Sequence, residues 1–196
     1  MNEREWDRRL RIKTTGREDV SDANYAPYEP TPYPVLERLA ASGHLKRKHR
    51  LLDYGCGKGR VMFFLADQVG CHATGIEQSE KLYALARENR RTARTGDRVI
   101  LVHRLAEQYE LQDEDSFFFF NPFSEAIFTH VLSRITDAWY LQPREMRLFC
   151  YYPSEEYLQA LQSHAEIRLC DAITFEDIFG RKDPRERLNV YAIGQL

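Results

Sequence analysis

The stretch LLDYGCGKGR, from Leu51 to Arg60, is a short apolar run that ends in an aspartate and passes into three glycines at alternate positions. The whole chain of 196 residues holds 10 glycines, so three between Gly55 and Gly59 answer a local need. The pattern reads as a strand, a tight turn and the start of a helix. One glycine would suffice for the turn. Three imply that something comes close to the backbone: Gly55 and Gly57, lacking a Cβ, let the chain bend sharply and let another group lie against it. Gly59 then lets the following helix pack near the strand.

Working outward from this turn, strand and helix patterns alternate. Arg50 to Tyr54 reads as a strand, and Gly59 to Val69 as a helix with Val61, Phe64, Leu65 and Ala66 on one stripe. Cys71 to Ile76 is a second strand. Ser79 to Thr92 is a helix capped by Ser79, with Leu82, Leu85 and Ala86 on one face. Val99 to His103 is a third strand, and Phe117 to Phe120 a fourth, apolar throughout and so expected to be covered on both faces. Ser124 to Trp139 reads as helix, Met146 to Tyr152 as strand, Ser154 to Gln162 as helix, and Ile167 to Cys170 and Leu188 to Ile193 as late strands. Before the turn, Val35 to Ser42 has helical spacing and Gly43 stops it. The segment to about Tyr33 is polar, then rich in proline and tyrosine (NYAPYEPTPYP), which excludes a long helix or a central strand there. Strands alternating with helices define an α/β fold: a doubly wound, mostly parallel sheet of about seven strands with helices on both faces.

Composition narrows the classes. Hydrophobic residues make up 43% and charged residues 30%, which suits one folded domain. A formal net charge of −2 gives no global basic field of the kind a dedicated nucleic-acid binder carries. Two basic clusters, Arg4 to Lys13 and Lys46 to Arg50, read as solvated helix ends or loops. Cys56, Cys71, Cys150 and Cys170 form no C-x-x-C pair, and they are expected as buried free thiols in a reducing compartment. The histidines show no metal-ligand spacing, and no metal is expected. Without an apolar run of spanning length or a signal-peptide pattern, the sequence predicts a soluble cytoplasmic protein.

In such sheets ligands bind beyond the carboxyl ends of the strands, where the strand order reverses. A dinucleotide site would show G-x-G-x-x-G. Here the spacing is G-x-G-x-G, Arg60 stands where the third glycine should be, and Asp53 would repel a pyrophosphate while being able to hold an amino group. The pattern apolar-apolar-Asp-x-Gly-x-Gly-x-Gly resembles the first motif of class I S-adenosylmethionine-dependent methyltransferases, of a small bacterial type, and implies their Rossmann-like fold. The resemblance extends to Glu77 in GIEQS, after the second strand, and to Ala106 and Glu107 in LAEQY, after the third. It implies S-adenosyl-L-methionine as cofactor: Asp53 takes the ammonium, the backbone of Gly55, Cys56, Gly57 and Gly59 lies beneath the methionine and ribose, Glu77 with Gln78 holds the ribose, and Ala106 and Glu107 lie against the adenine.

The fourth strand runs into Asn121-Pro122-Phe123. Proline ends the run, so strand punctuation is one reading. The other follows from resemblance to amino-methyltransferases, which carry Asn/Asp-Pro-Pro-aromatic at this place. It implies that Asn121, also against the cofactor, and the Pro122 carbonyl accept hydrogen bonds from a nitrogen nucleophile, with Phe123 stacked on a planar target. Asn121→Asp would then retain more activity than Asn121→Ala. This sequence is one proline short of that motif. Tyr28 and Thr31, within YAPYEPTPY, are expected to close over the methionine end. Residues 1–45 are thus expected as an extension and helix covering the cofactor site, and residues 46–196 as the methyltransferase domain. The methyl acceptor could be a protein, an RNA or a small amine. Two other classes stay open: a non-catalytic cofactor-fold module that binds a partner, and an NAD-dependent oxidoreductase.

Overall fold

The glycine turn lies at the carboxyl edge of a seven-stranded sheet in a computed structural model that describes residues 1–18, 25–180 and 182–194. The elements run α1 (Glu3–Leu10), α2 (Tyr33–Ala41), β1 (Arg50–Tyr54), α3 (Arg60–Gln68), β2 (His72–Glu77), α4 (Glu80–Thr92), β3 (Val99–His103), β4 (Ser116–Phe119), α5 (Glu125–Leu141), β5 (Met146–Tyr151), α6 (Glu155–Gln162), β6 (Ile167–Thr174), α7 (Glu176–Phe179) and β7 (Arg187–Ile193). Short 3₁₀ turns at Gly96–Arg98 and Ala106–Gln108 flank β3. The sheet order is β3-β2-β1-β4-β5-β7-β6. All pairings are parallel except those of β7, which runs antiparallel to both β5 and β6.

The strand order reverses between β1 and β4. The chain winds from β1 out to β3, then returns to place β4 on the other side of β1. The connections leaving their carboxyl ends diverge, and the crevice between them is where this topology seats ligands. Alternation along the strands feeds two cores. Leu51, Phe118 and Phe149 pack with Trp6, Tyr33, Leu36, Phe63 and Phe64 on the side of α1, α2 and α3. Leu52, Phe117, Phe119 and Leu148 pack with Phe128, Ile135 and Tyr157 on the side of α5 and α6. The apolar run of β4 is thus covered on both faces, as its composition predicts, and each phenylalanine there is essentially fully buried.

Three features depart from the sequence reading. Helix α1 lies inside the segment read as polar and irregular, because the prolines that exclude helix begin only at Pro27. Asn2 and Glu5 cap each other's backbone N–H groups, and Trp6 and Leu10, one turn apart, bury the inner face. Strand β6 runs on to Thr174 through a bulge between Leu169 and Asp171. As an edge strand it leaves Cys170 exposed, whereas Cys56, Cys71 and Cys150 are buried. Among the described residues no helix is long and apolar enough to cross a membrane. The expectation for Asn24, the first residue of the proline-tyrosine segment, falls outside the described residues.

Candidate cofactor site

The turn itself is built by left-handed glycines. Gly55 and Gly57 have φ of +70° and +53°, values that L side chains rarely adopt. Their missing Cβ atoms leave room for protein as well as ligand. A Cβ on Gly55 would stand 2.5 Å from the Pro122 side chain, and one on Gly57 would stand 2.2 Å from the Tyr28 ring. The close approach that the sequence demands is therefore made by Asn121-Pro122-Phe123 on one side and by the proline-tyrosine segment on the other. Gly59, also left-handed, caps α3 and lies outside the cleft lining.

One cleft gathers most of the expected residues. Tyr28, Thr31, Asp53, Gly55, Cys56, Gly57, Glu77, Gln78, Ala106 and Pro122 all line it. Its volume is only about 70 Å³. Residues Tyr25 to Pro32 form a strap across it. The Ala26 N–H donates to the Pro122 carbonyl at 3.1 Å, Tyr28 pairs with Glu18 through both backbone groups, and the Tyr28 hydroxyl donates to the Thr14 carbonyl at 2.7 Å. Tyr25 bridges to Phe123, and its hydroxyl donates to Glu107 at 3.1 Å. Glu107 thereby anchors the strap and does not line the cleft, whereas its neighbour Ala106 does.

Two carboxylates stand at the heart of the cleft. Asp53, at the carboxyl end of β1, is 3% exposed, and its Oδ2 is buried without a hydrogen-bond partner among the described residues. Burial, and next the charge of Glu77, push its carboxyl well above the ordinary range. Glu77 ends β2. Its Oε2 accepts from the Gly57 N–H at 2.9 Å and its Oε1 from the Ser79 N–H at 2.7 Å. Burial raises the Glu77 carboxyl, while these N–H groups pull it back. Each oxygen keeps a lone pair, so together they can still accept both hydroxyls of a vicinal diol.

The sequence reading gave Arg60 no positive role. Its side chain is 2% exposed and spans the extension: Nε donates to Thr14 Oγ1 at 2.8 Å and Nη1 to the Thr31 carbonyl at 3.2 Å. The guanidinium pairs with Glu3, lies 3.9 Å from Asp7 and stacks on the Tyr33 ring at 4.3 Å. Arg60 also lines the cleft, and its Nη2, the nitrogen 3.9 Å from Asp7 Oδ1, is buried without a hydrogen-bond partner among the described residues. A buried carboxylate oxygen and a buried guanidinium nitrogen, neither hydrogen-bonded among the described residues, thus belong to residues that line one cleft. The signal available in sequence was a charged residue at the first position of an otherwise apolar helix (RVMFFLA).

Asn121-Pro122-Phe123 divides its duties differently from expectation. Pro122 lines the cleft. Asn121 lines an adjoining cavity, with φ +41°, and its amide is bonded at both ends: Nδ2 donates to the Tyr152 carbonyl at 2.7 Å, and Oδ1 accepts from the Ser154 N–H at 3.2 Å. The Phe123 ring is buried, edge-on to Tyr25, Tyr54 and Phe119, so it stacks on protein rather than on a target.

A Rossmann-like sheet with an acid at the end of β1, a glycine turn and an acid at the end of β2 is the arrangement that the sequence predicts. Residues 51–140, just under half of the chain, match the family model described as "Methyltransferase domain". A histone-lysine N-methyltransferase specific for H3 lysine 79, from Dictyostelium discoideum, is 39% identical over 62 residues, which are 32% of this chain and 3% of that protein. The chain thus corresponds to a small part of that relative's length. Among solved structures, an RNA methyltransferase from Salinibacter ruber in complex with S-adenosyl-L-homocysteine superposes with a TM-score of 0.65 at 16% identity, over 86% of this chain and 95% of that one. A TehB-like methyltransferase from Corynebacterium glutamicum superposes with a TM-score of 0.59 at 17% identity, over 82% and 88%. The glycopeptide N-methyltransferase MtfA with S-adenosylmethionine does so at 0.61 and 15%, over 81% and 86%. These structural likenesses establish the fold.

Proposed function

We propose that this chain transfers a methyl group from S-adenosyl-L-methionine to a nitrogen of a separate acceptor. The observation that carries the cofactor reading is a pair of buried atoms without hydrogen bonds among the described residues, Asp53 Oδ2 and Arg60 Nη2, on two residues that line one cleft. An α-amino acid moiety bears the two complementary groups, an ammonium for Asp53 and a carboxylate for Arg60. Glu77 holds the ribose hydroxyls, with Gln78 and Ala106 beside it. Asp53 beside the glycine turn would repel a pyrophosphate, which disfavours a nicotinamide dinucleotide, whereas an acid in the place of Glu77 suits either cofactor. The bound cofactor supplies an activated methyl group, so the chain's tasks are to orient the acceptor and exclude water.

Residues 1–45 serve as the covering extension. With a volume of only about 70 Å³, against the several hundred typical of small-molecule sites, the cleft widens to admit the cofactor, and the strap is the segment that lifts and settles again on it. Amide hydrogen exchange at Ala26 and Tyr28 is expected to slow when S-adenosylhomocysteine is added. Protection confined to Gly55–Gly59 would reduce the segment to a fixed structural tie.

The nitrogen acceptor is supported by relatives described as acting on lysine or as N-methyltransferases, and not by the Asn-Pro-Phe segment, whose amide, carbonyl and ring are engaged by protein. Asn121 acts as a positioning residue, since its amide ties the ends of β4 and β5 beside the cleft. Asn121→Ala is expected to lower turnover about tenfold, with S-adenosylhomocysteine affinity within a few-fold. Asn121→Asp fares no better, because it lacks the donor that the Tyr152 carbonyl requires. On this reading the advantage of Asn121→Asp over Asn121→Ala expected from sequence is lost. Parent-like turnover per folded molecule in Asn121→Ala would leave the residue as strand punctuation.

A further inference from the structure

A second cavity, of about 460 Å³, opens at the carboxyl ends of β4 and β5. Ala26, Pro27 and Glu29 of the strap, with Phe120, line both it and the cofactor cleft. One edge of the strap and one ring therefore stand between the two spaces. The size is that of a small-molecule site.

Its wall is shaped by unusual backbone. Phe119 of β4 pairs with Cys150 of β5, and two residues beyond that pair both chains turn left-handed, at Asn121 (φ +41°) and Tyr152 (φ +50°). Asparagine tolerates that conformation, but a tyrosine there is a costly exception, and such strain gathers at binding sites. The Asn121 amide holds the two turns together through the Tyr152 carbonyl. The turned chains present Phe120, Tyr151 and Tyr152 to the cavity, and Phe179 at the end of α7 joins them.

The charges in the wall decide what fits. Arg185 stacks its guanidinium on the Tyr152 ring at 4.4 Å, and its Nε is buried with no hydrogen-bond partner among the described residues. Asp183 fixes this arrangement, accepting from the Tyr152 hydroxyl at 2.7 Å and from the Arg185 backbone N–H at 2.9 Å. Arg17 is a second cation in the lining. Of the two acids there, Glu186 accepts the Tyr151 hydroxyl at 2.5 Å, and Glu29 sits exposed on the strap. The buried donor still to be satisfied is thus cationic, in a plane set by an aromatic ring. Guanidinium N–H groups recognise carboxylates in that plane.

We propose that this cavity seats the methyl acceptor, and that the acceptor is a small aromatic molecule bearing a carboxylate, bound by Arg185 with its ring among Phe120, Tyr152 and Phe179. Its role as the acceptor's seat rests on the cofactor reading above. Its ligand chemistry can be tested apart from that reading.

The experiment measures binding of benzoate and of benzylamine, equal in shape and opposite in charge, by chemical-shift changes at the Asn121, Tyr152 and Arg185 amides, with and without S-adenosylhomocysteine. Benzoate is expected to perturb these amides and benzylamine to bind at least tenfold more weakly. Arg185→Gln is expected to weaken benzoate tenfold or more, Arg185→Lys to recover part of that loss, and both to bind S-adenosylhomocysteine within twofold of the parent. Tighter binding of benzylamine, benzoate binding that ignores Arg185→Gln, or no perturbation by either probe overturns the proposal. If S-adenosylhomocysteine itself fails to bind, the cofactor reading falls and takes the acceptor role with it, whereas the benzoate result still decides the cavity's chemistry.

Discussion

Asp53→Asn is expected to stabilise the ligand-free protein at neutral pH and, at the same time, to weaken S-adenosylhomocysteine binding about tenfold to a hundredfold. The two effects share one cause. Asp53 is buried beside Glu77 with an oxygen that has no hydrogen-bond partner among the described residues. Its folded-state carboxyl titrates well above its unfolded value. The unfolded chain therefore releases the proton first as pH rises, and stability is lost from the ordinary carboxylate range upward until the folded group also ionises. Asparagine has the same shape and never ionises, so the variant escapes that loss. The parent's unfolding free energy should fall with pH across this window, and the difference between the two proteins should shrink below the ordinary carboxylate range. Binding reverses the sign, because a charge-assisted bond to an ammonium is worth about 1.5–3 kcal/mol. Urea unfolding across pH, paired with calorimetric titration, reads both halves. A variant that is less stable yet binds as tightly as the parent would mean that Asp53 serves structure only.

The second large effect belongs to Arg60. Arg60→Met is expected to destabilise the fold by about 3–5 kcal/mol, the scale for removing one partner from a buried charged network. Methionine leaves Asp7 facing Thr14 and Tyr33 without its cation, and frees the Thr31 carbonyl from its only guanidinium donor among the described residues. At roughly 2–4 °C per kcal/mol for a chain of this size, the midpoint of thermal unfolding should drop by about 6–20 °C. Arg60→Lys keeps the charge but cannot reach Glu3, Thr14 and Thr31 at once, so it should fall between Met and the parent. A thermal midpoint within about 2 °C of the parent for Arg60→Met would show that α1 and the strap are held by Trp6, Leu10 and Tyr33 alone.

The contrast between Asp53 and Arg60 shows what sequence reveals in this protein. Periodicity suffices for the sheet and most helices, because β4 and the stripes on α3 and α4 are local patterns with one solution. Asp53, the glycines and Glu77 are legible because a turn and two strand ends fix their place without knowledge of packing. Arg60 is different. Its partners Glu3, Asp7, Thr14 and Thr31 lie far upstream, in a segment with weak periodicity, and only the folded extension brings them together. For the same reason Glu107 could be named but not placed: the Tyr25 hydroxyl, more than eighty residues away, takes its carboxylate. The Asn-Pro-Phe segment marks its position at the strand end correctly, yet its hydrogen bonds run to Tyr152, Ser154 and Ala26, which no local motif encodes.

The most direct test of the account is a calorimetric titration of the unmodified protein with S-adenosylhomocysteine and, separately, with NAD⁺. S-adenosylhomocysteine is expected to bind at one site per chain, with NAD⁺ giving no saturable heat. Saturable binding of NAD⁺ with none of S-adenosylhomocysteine would contradict the assignment of Asp53, Arg60 and Glu77 to the methyl donor.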